Sequence, residues 1–249
     1  MAYIYEYIRT EGFEPMHFEE HYARLDALAR KHLFMPFSVE RDKLRKVIGE
    51  TLRSNHFSAE KRNAVYIQYD HDGELDVVCA TILYDEFSLR AMRPSTFVCR
   101  ISGELLTENT SAKRALLDLN HTTSLATDHG VPLWANEQGE VLAIDGTTAI
   151  AIFEDEVRFS QTESVEAELA YEVIKSMGRS VSKEPILLTD IAKAKELLYI
   201  DYRGIVALKA FDSHYLMDLV ASKIAEKIAE RERERESDSP STKRVSLSI

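Results

Sequence analysis

Three groups of side chains in this sequence have the types and spacing for chemistry at neutral pH. Lys113 stands at the opening of a helix predicted from Ala112 to His129, with Arg114 beside it. A lysine becomes a nucleophile or a base when burial and neighbouring cations let it shed its proton. Thirty-two residues on (113 to 145), Asp145-Gly146-Thr147-Thr148 supplies a carboxylate and two hydroxyls ahead of a strand. Arg24 lies in His21-Tyr22-Ala23-Arg24-Leu25, on the first helix after a strand and a turn. Its planar fork of N–H donors suits phosphate or carboxylate.

Other residues point to chemistry less well. His17 and His21 share the four-residue spacing of a zinc helix, but Phe18 occupies the place where such a helix carries its glutamate. They are expected at a solvated helix end. Asp70-His71-Asp72-Gly73 falls between two strand-like runs, where those residue types are what a hairpin turn selects. No metal site is expected at either place. Gly-rich phosphate loops and a Gly-x-Ser-x-Gly elbow are both missing.

The net charge of −11 argues against a nucleic-acid backbone or an anionic membrane as partner. No apolar run has the length to cross a bilayer, and Met1 to Thr10 lacks the basic-then-apolar pattern of a signal peptide. A cytoplasmic location is expected, with Cys79 and Cys99 as free thiols.

The elements that must position these groups can be read from periodicity. Tyr3 to Arg9 alternates as a strand, and Phe18 to His32 and residues 39 to 55 carry helical stripes. NAVYIQYD and ELDVVCATILY form a hairpin, and one further strand lies at 96 to 101. Residues 103 to 111 are polar and irregular, as a connection would be. After the helix at Lys113 come a hairpin turning at Asn136 to Gly139 and two strands within residues 146 to 160. A helix over 163 to 177 follows, then a short helix from Thr189 to Glu196 and strand-like sequence through Asp212. A last helix begins near Tyr215. RERERE at 231 to 236 is expected to be a solvated extension, leading into a disordered tail. The pattern is α+β rather than alternating βαβ, divided as an N-terminal α/β domain (1–102), a connection (103–111), a C-terminal α/β domain (112–230) and a charged end (231–249).

The order of these motifs, from Tyr3 to about Asp212, resembles the class IV aminotransferases. These are the fold-type-IV pyridoxal-phosphate enzymes: branched-chain and D-amino-acid aminotransferases and 4-amino-4-deoxychorismate lyase. The resemblance implies two α/β domains with the site between them, a homodimer and a small amino-acid substrate. It implies that Lys113 carries pyridoxal 5'-phosphate as a Schiff base, that Asp145 faces the pyridine nitrogen and that Arg24 anchors the phosphate. Thr147 and Thr148 fall in the same cofactor segment. The chain departs from the family where Asp118 replaces a tyrosine, Ile150 an asparagine, Asp201 a serine or threonine, and Phe159 to Ser164 a glycine-containing phosphate turn. Glu163 and Glu166 add negative charge there. These departures motivate the alternative of a non-catalytic homologue that serves binding or assembly.

Overall fold

The computed structural model describes residues 2–82, 86–102, 105–126 and 130–238. The chain opens with β1 (Tyr3–Glu11), edged by β2 (Glu14–Pro15). After α1 (Phe18–Leu28) and α2 (Arg41–Ser54) come β3 (Arg62–Asp70) and β4 (Leu75–Ala80). The four strands form an antiparallel sheet in the order β2-β1-β3-β4. Alternation along the strands puts Ile4, Ile8, Val65, Ile67 and Tyr69 on one face, where Leu25 and Leu28 of α1 and Leu44, Ile48 and Leu52 of α2 bury them. The helix predicted over 18 to 32 forms, but its last turn, Ala29–Leu33, is π-helical. Phe34, at φ 58°, ends it. In the β3–β4 hairpin Asp70 Oδ1 accepts from the backbone N–H groups of Asp72 (2.9 Å) and Glu74 (3.0 Å), the turn role read from the sequence. Asp70, His71 and Asp72 can bring ligand atoms within 4.8 Å of one another, and the turn accounts for Asp70's carboxylate.

The strand expected to close the first hundred residues, β5 (Thr96–Arg100), runs parallel to a strand beyond the connection. α3 (Ser111–Ala126) separates β5 from that partner, β6 (Val131–Ala135), which turns back into β7 (Val141–Ile144). β5 therefore sits in a three-stranded β5-β6-β7 sheet, not against β4. Pairing is a long-range choice that alternation within one strand does not encode. Residues 109 and 110 of the polar connection are themselves strapped to β1, through a 3.0 Å bond from Tyr5 N–H to Asn109 O and a bridge between Ile4 and Thr110.

The second large sheet is built from β8 (Thr148–Ile152), β9 (Glu156–Phe159), β10 (Ser180–Ser182), β11 (Glu196–Asp201) and β12 (Gly204–Ala207). Its order is β10-β9-β8-β11-β12. Both faces are buried. Ile150, Ile152, Leu198 and Ile200 pack under α4 (Val165–Ser176) and α5 (Leu219–Asp238). Ala149, Ala151, Leu197 and Tyr199 pack on the β6–β7 hairpin. Only a 3-10 turn, Ile191–Lys193, forms where a helix to Glu196 was expected, because Glu196 is the first residue of β11. Its carboxylate instead accepts from the N–H groups of Val220 (2.7 Å) and Ala221 (2.9 Å), satisfying donors at the start of α5. Tyr215, where the last helix was expected to begin, lies in the small hairpin of β13 (Ala210–Phe211) and β14 (His214–Tyr215). No described helix is long and apolar enough to cross a membrane.

The RERERE segment is only partly a solvated extension. Glu232 is buried, 2.8 Å from Arg9 Nη1 on β1 and 3.0 Å from Arg62 Nη1 on β3. His17 Nε2 lies 4.0 Å away. The ion cluster ties α5 to the first sheet across 223 residues of sequence. Residues 239–249, expected to be a disordered tail, lie outside the described residues. Glu232→Ala leaves two buried guanidinium groups facing each other without their shared carboxylate. It should lower unfolding free energy by about 3–5 kcal/mol in urea titration, whereas Glu234→Ala should change it by less than about 0.5 kcal/mol.

Candidate functional site

The centre of the site is a carboxylate in the middle of a strand. Glu6 lies between Ile4 and Ile8 on the helix-covered face of β1 and is buried. A buried carboxylate is tolerated only when hydrogen-bonded and paired. His21 and Arg24, one helical turn apart on α1, both reach it. His21 Nδ1 lies 3.1 Å from Oε1, and Arg24 Nε donates to Oε2 at 3.2 Å. Asn109 Nδ2 donates to Oε2 from the strapped connection, also at 3.2 Å. Burial alone would raise the Glu6 carboxyl, but the His21 hydrogen bond and the Arg24 charge outweigh it and hold the group below the usual carboxylate range. The histidines therefore diverge, His21 towards Glu6 and His17 towards Glu232, and His21 is buried rather than at a solvated helix end.

Lys113 joins this network from α3. Its side chain is buried, and Nζ donates to Asn109 Oδ1 at 3.0 Å. Burial and the positive charge of Arg24 push its pKa down to about 7, opposed by Glu6 and Glu108. A large share of this amine is thus neutral and nucleophilic at neutral pH. Arg24 has its Nη2 buried without a hydrogen-bond partner, and its Nη1 lies 4.0 Å from Glu163.

A cavity of about 410 Å³ opens beside Lys113, the size of a small-ligand pocket. Asp145 and Gly146, the two-residue turn between β7 and β8, form part of its wall. Ile144 and Thr147 exchange backbone hydrogen bonds of 3.1 and 2.9 Å, and both turn residues have positive φ, 50° and 71°. Gly146 also lets α3 pack closely, because a Cβ there would lie 2.4 Å from Leu117 Cδ2. The close packing brings the Lys113 helix and the Asp145 carboxylate to one cavity. Thr147 and Thr148 line it as well, but their hydroxyl protons go to the carbonyls of Ile144 (3.0 Å) and Thr162 (2.5 Å). Each can therefore offer a ligand only an acceptor oxygen.

The remaining walls come from the turn between β11 and β12, the start of α4 and the outer face of β1. Tyr202 stacks on Tyr7 with ring centroids 4.3 Å apart and planes 3° from parallel. Tyr7's hydroxyl accepts from Arg114 Nη1 at 2.9 Å. Arg203 is pinned to Asp201, donating Nε–H to Oδ2 at 2.9 Å. Asp118 pairs with Arg114 at 3.2 Å on the exposed side of α3, and Ile150 is in the core under α4 and α5. At the start of α4, Ser164 Oγ accepts from Ala167 N–H, and Glu166 is buried against the cavity.

The structure thus brings Lys113, Asp145, Thr147 and Thr148 to one cavity. Arg24 lies immediately behind it, between Glu6 and Glu163. Sequence reading did not find Glu6, Asn109 or the Tyr7–Tyr202 stack. Glu6 had a signal: an acid alternating with Ile4 and Ile8 on an apolar face must be buried and paired. Asn109 and Tyr202 sit in irregular segments that carry no periodic pattern.

No protein-family model and no curated protein sequence matches the chain. Solved structures do match in fold. The branched-chain aminotransferase of Thermoproteus uzoniensis, solved with norvaline, superposes with a TM-score of 0.75 at 14% identity, over 91% of this chain and 84% of that one. A putative 4-amino-4-deoxychorismate lyase from Legionella pneumophila gives 0.73 at 13% identity, over 93% and 90%. A hypothetical aminotransferase from Mycobacterium tuberculosis in its PLP-bound form gives 0.73 at 12% identity, over 93% and 90%. The chain has the fold of these fold-type-IV structures.

The Lys113 amine titrates in the folded chain near pH 7 and in the unfolded chain near the ordinary 10.5. Between those values the unfolded state binds the extra proton, so this group's contribution to stability improves as pH rises from 7 to 10.5. Competitive labelling with an amine reagent should show Lys113 half-maximally reactive near pH 7, once corrected for access. Ordinary solvent-exposed lysines should still be rising above pH 9.

Proposed function

We propose that this chain is a divergent class IV aminotransferase-like enzyme in which Lys113 carries pyridoxal 5'-phosphate. The observation that carries the reading is a buried lysine, shifted to about pH 7, lining a cavity in this fold. The residues fit the cofactor at three points. Lys113 offers a neutral amine, and Asp145 offers an anion on the wall of the same cavity. Arg24, behind the wall, has a buried Nη2 without a hydrogen-bond partner among the described residues. The start of α4, where Glu163 and Glu166 line the cavity, departs from a phosphate cup.

When bound, the cofactor supplies an electron sink for charge developing at the α-carbon of an amino acid. The chain's own residues supply the rest. Lys113 would hold the cofactor through its amine and would serve as a base for the substrate's α-proton. Asn109, itself held by Glu6, fixes the direction of Nζ through its 3.0 Å hydrogen bond. Asp145, on the cavity wall, would supply the negative charge that favours a protonated pyridine nitrogen. Tyr7 and Tyr202 form a flat wall, and Arg114, which donates to Tyr7's hydroxyl, lines the same cavity as a cation for a substrate carboxylate. Amino-group transfer and aminodeoxychorismate-lyase-like elimination on a small amino acid both use this arrangement. The same reading makes the protein a cytoplasmic homodimer of two-domain subunits.

Added pyridoxal phosphate should produce an absorbance band near roughly 410 nm, and borohydride should then fix a reduced adduct on Lys113 by peptide mapping. Lys113→Ala should lose band and adduct while remaining folded. A colourless protein with no adduct at saturating cofactor would defeat the proposal and favour a binding or assembly role for the scaffold. Arg24→Met should weaken cofactor binding by about 10- to 150-fold, the worth of one charge-assisted contact of about 1.5–3 kcal/mol, measured by equilibrium dialysis.

A further inference from the structure

The start of α4 sets a phosphate against a carboxyl group of this chain. Glu166 is the second residue after the Ser164 cap, buried, and part of the cavity wall with Thr162 and Ser164. Its carboxylate accepts from its own backbone N–H, using the helix-terminal donor field in which an anion would sit. The charged groups facing it are Glu6 from β1, His21 from α1 and Asp201 from β11, together with Arg9 from β1, which α5 neutralises through Glu232. Burial raises the Glu166 carboxyl, Glu6 and Asp201 raise it further, and His21 opposes them. A phosphate monoester brings a charge of about −1.5 to −2. Closely placed anions in a buried site do not all stay ionised. A proton on Glu166 removes one repulsion and turns the residue into an O–H donor towards a phosphate oxygen.

We propose that Glu166 receives the cofactor's phosphate as a protonated carboxylic acid, so that phosphate binding draws a proton from solvent onto this residue. The inference rests on the pyridoxal-phosphate reading, and it makes Glu166 a binding residue that couples cofactor occupancy to pH. Affinity for a phosphorylated ligand then falls about tenfold per pH unit above the titration point of free Glu166, while affinity for the same ligand without phosphate does not share that fall.

The test uses pyridoxine 5'-phosphate and pyridoxine, which have no aldehyde to react with Lys113. Each is titrated calorimetrically into the full-length protein at pH 8.5, in two buffers of different ionisation enthalpy. At that pH the free phosphate is a dianion, with its second pKa at about 6. The phosphorylated ligand should take up close to one more proton than pyridoxine. In Glu166→Gln, whose amide donates without titrating, that difference should fall towards zero, and affinity for the phosphorylated ligand at pH 8.5 should rise. An equal proton difference in both proteins overturns the proposal. If Glu166→Gln does not fold, the wild-type protein alone decides. A phosphorylated-minus-unphosphorylated affinity slope of zero between pH 7 and 9 also overturns it. Binding of both ligands without a proton difference rejects this inference alone. Failure of both ligands to bind, with no Lys113 adduct from pyridoxal phosphate, rejects the functional reading with it.

Discussion

A buried carboxylate needs more than one partner, and Glu6 recruits three partners from two separate stretches of chain. His21 and Arg24 come from α1, and Asn109 comes from the strap that precedes α3. The strand fixes where the carboxylate is, because β1 is paired along its whole length with β3. Everything nearby is then arranged around a fixed negative charge. Arg24 has its Nε tied to Glu6 and one buried nitrogen left over. Asn109 is held through its amide nitrogen, so its oxygen faces Lys113. The lysine is thereby oriented by a neutral acceptor rather than neutralised by a direct ion pair. That distinction sets its chemistry: a carboxylate on Nζ would stabilise the ammonium, whereas an amide oxygen leaves burial and the Arg24 charge in control.

The second constraint is steric. Asp145 reaches the cavity because a two-residue turn with positive φ at both positions ends β7, and because Gly146 has no side chain to hold α3 away. Lys113 and Asp145 therefore belong to one packing unit, with Leu117 resting on the turn between them. The stack of Tyr7 on Tyr202 joins the first sheet to the β11–β12 turn across the same cavity. The buried cluster of Glu232, Arg9 and Arg62 joins α5 to the first sheet on another side. Neither contact stands alone, since Arg9 faces both Glu232 and Glu166.

Electrostatic balance explains why the start of α4 is unusual. The cavity wall carries Glu6, Asp118, Asp145, Glu163, Glu166 and Asp201 against Lys113, Arg114 and Arg203. Arg203 is consumed by Asp201 and Arg114 is shared with Asp118 and Tyr7. Arg24, behind the wall, is itself paired with Glu6, so carboxylates outnumber cations around the cavity. In a site of low dielectric such an imbalance is relieved by moving protons more readily than by moving backbone.

Periodicity by itself determined most of the element list: the alternating β1, the stripes of α1 and α2, the β3–β4 and β6–β7 hairpins, and the apolar run of β8 are all local patterns. The order of His21–Leu25, Lys113 and Asp145–Thr148 along the chain carried the resemblance to a fold that the superpositions bear out. Tertiary structure decided what no local pattern encodes. It paired β5 with β6 across α3, ended the last helix's N-terminus on Glu196, and drew Glu232 out of a charge-alternating segment into a buried ion cluster. It also decided the chemistry of Lys113. The sequence fixes that a lysine stands there, but its pKa depends on burial and on charges contributed by residues 6, 24 and 108, and those distances exist only once the sheet, α1 and the strap have packed.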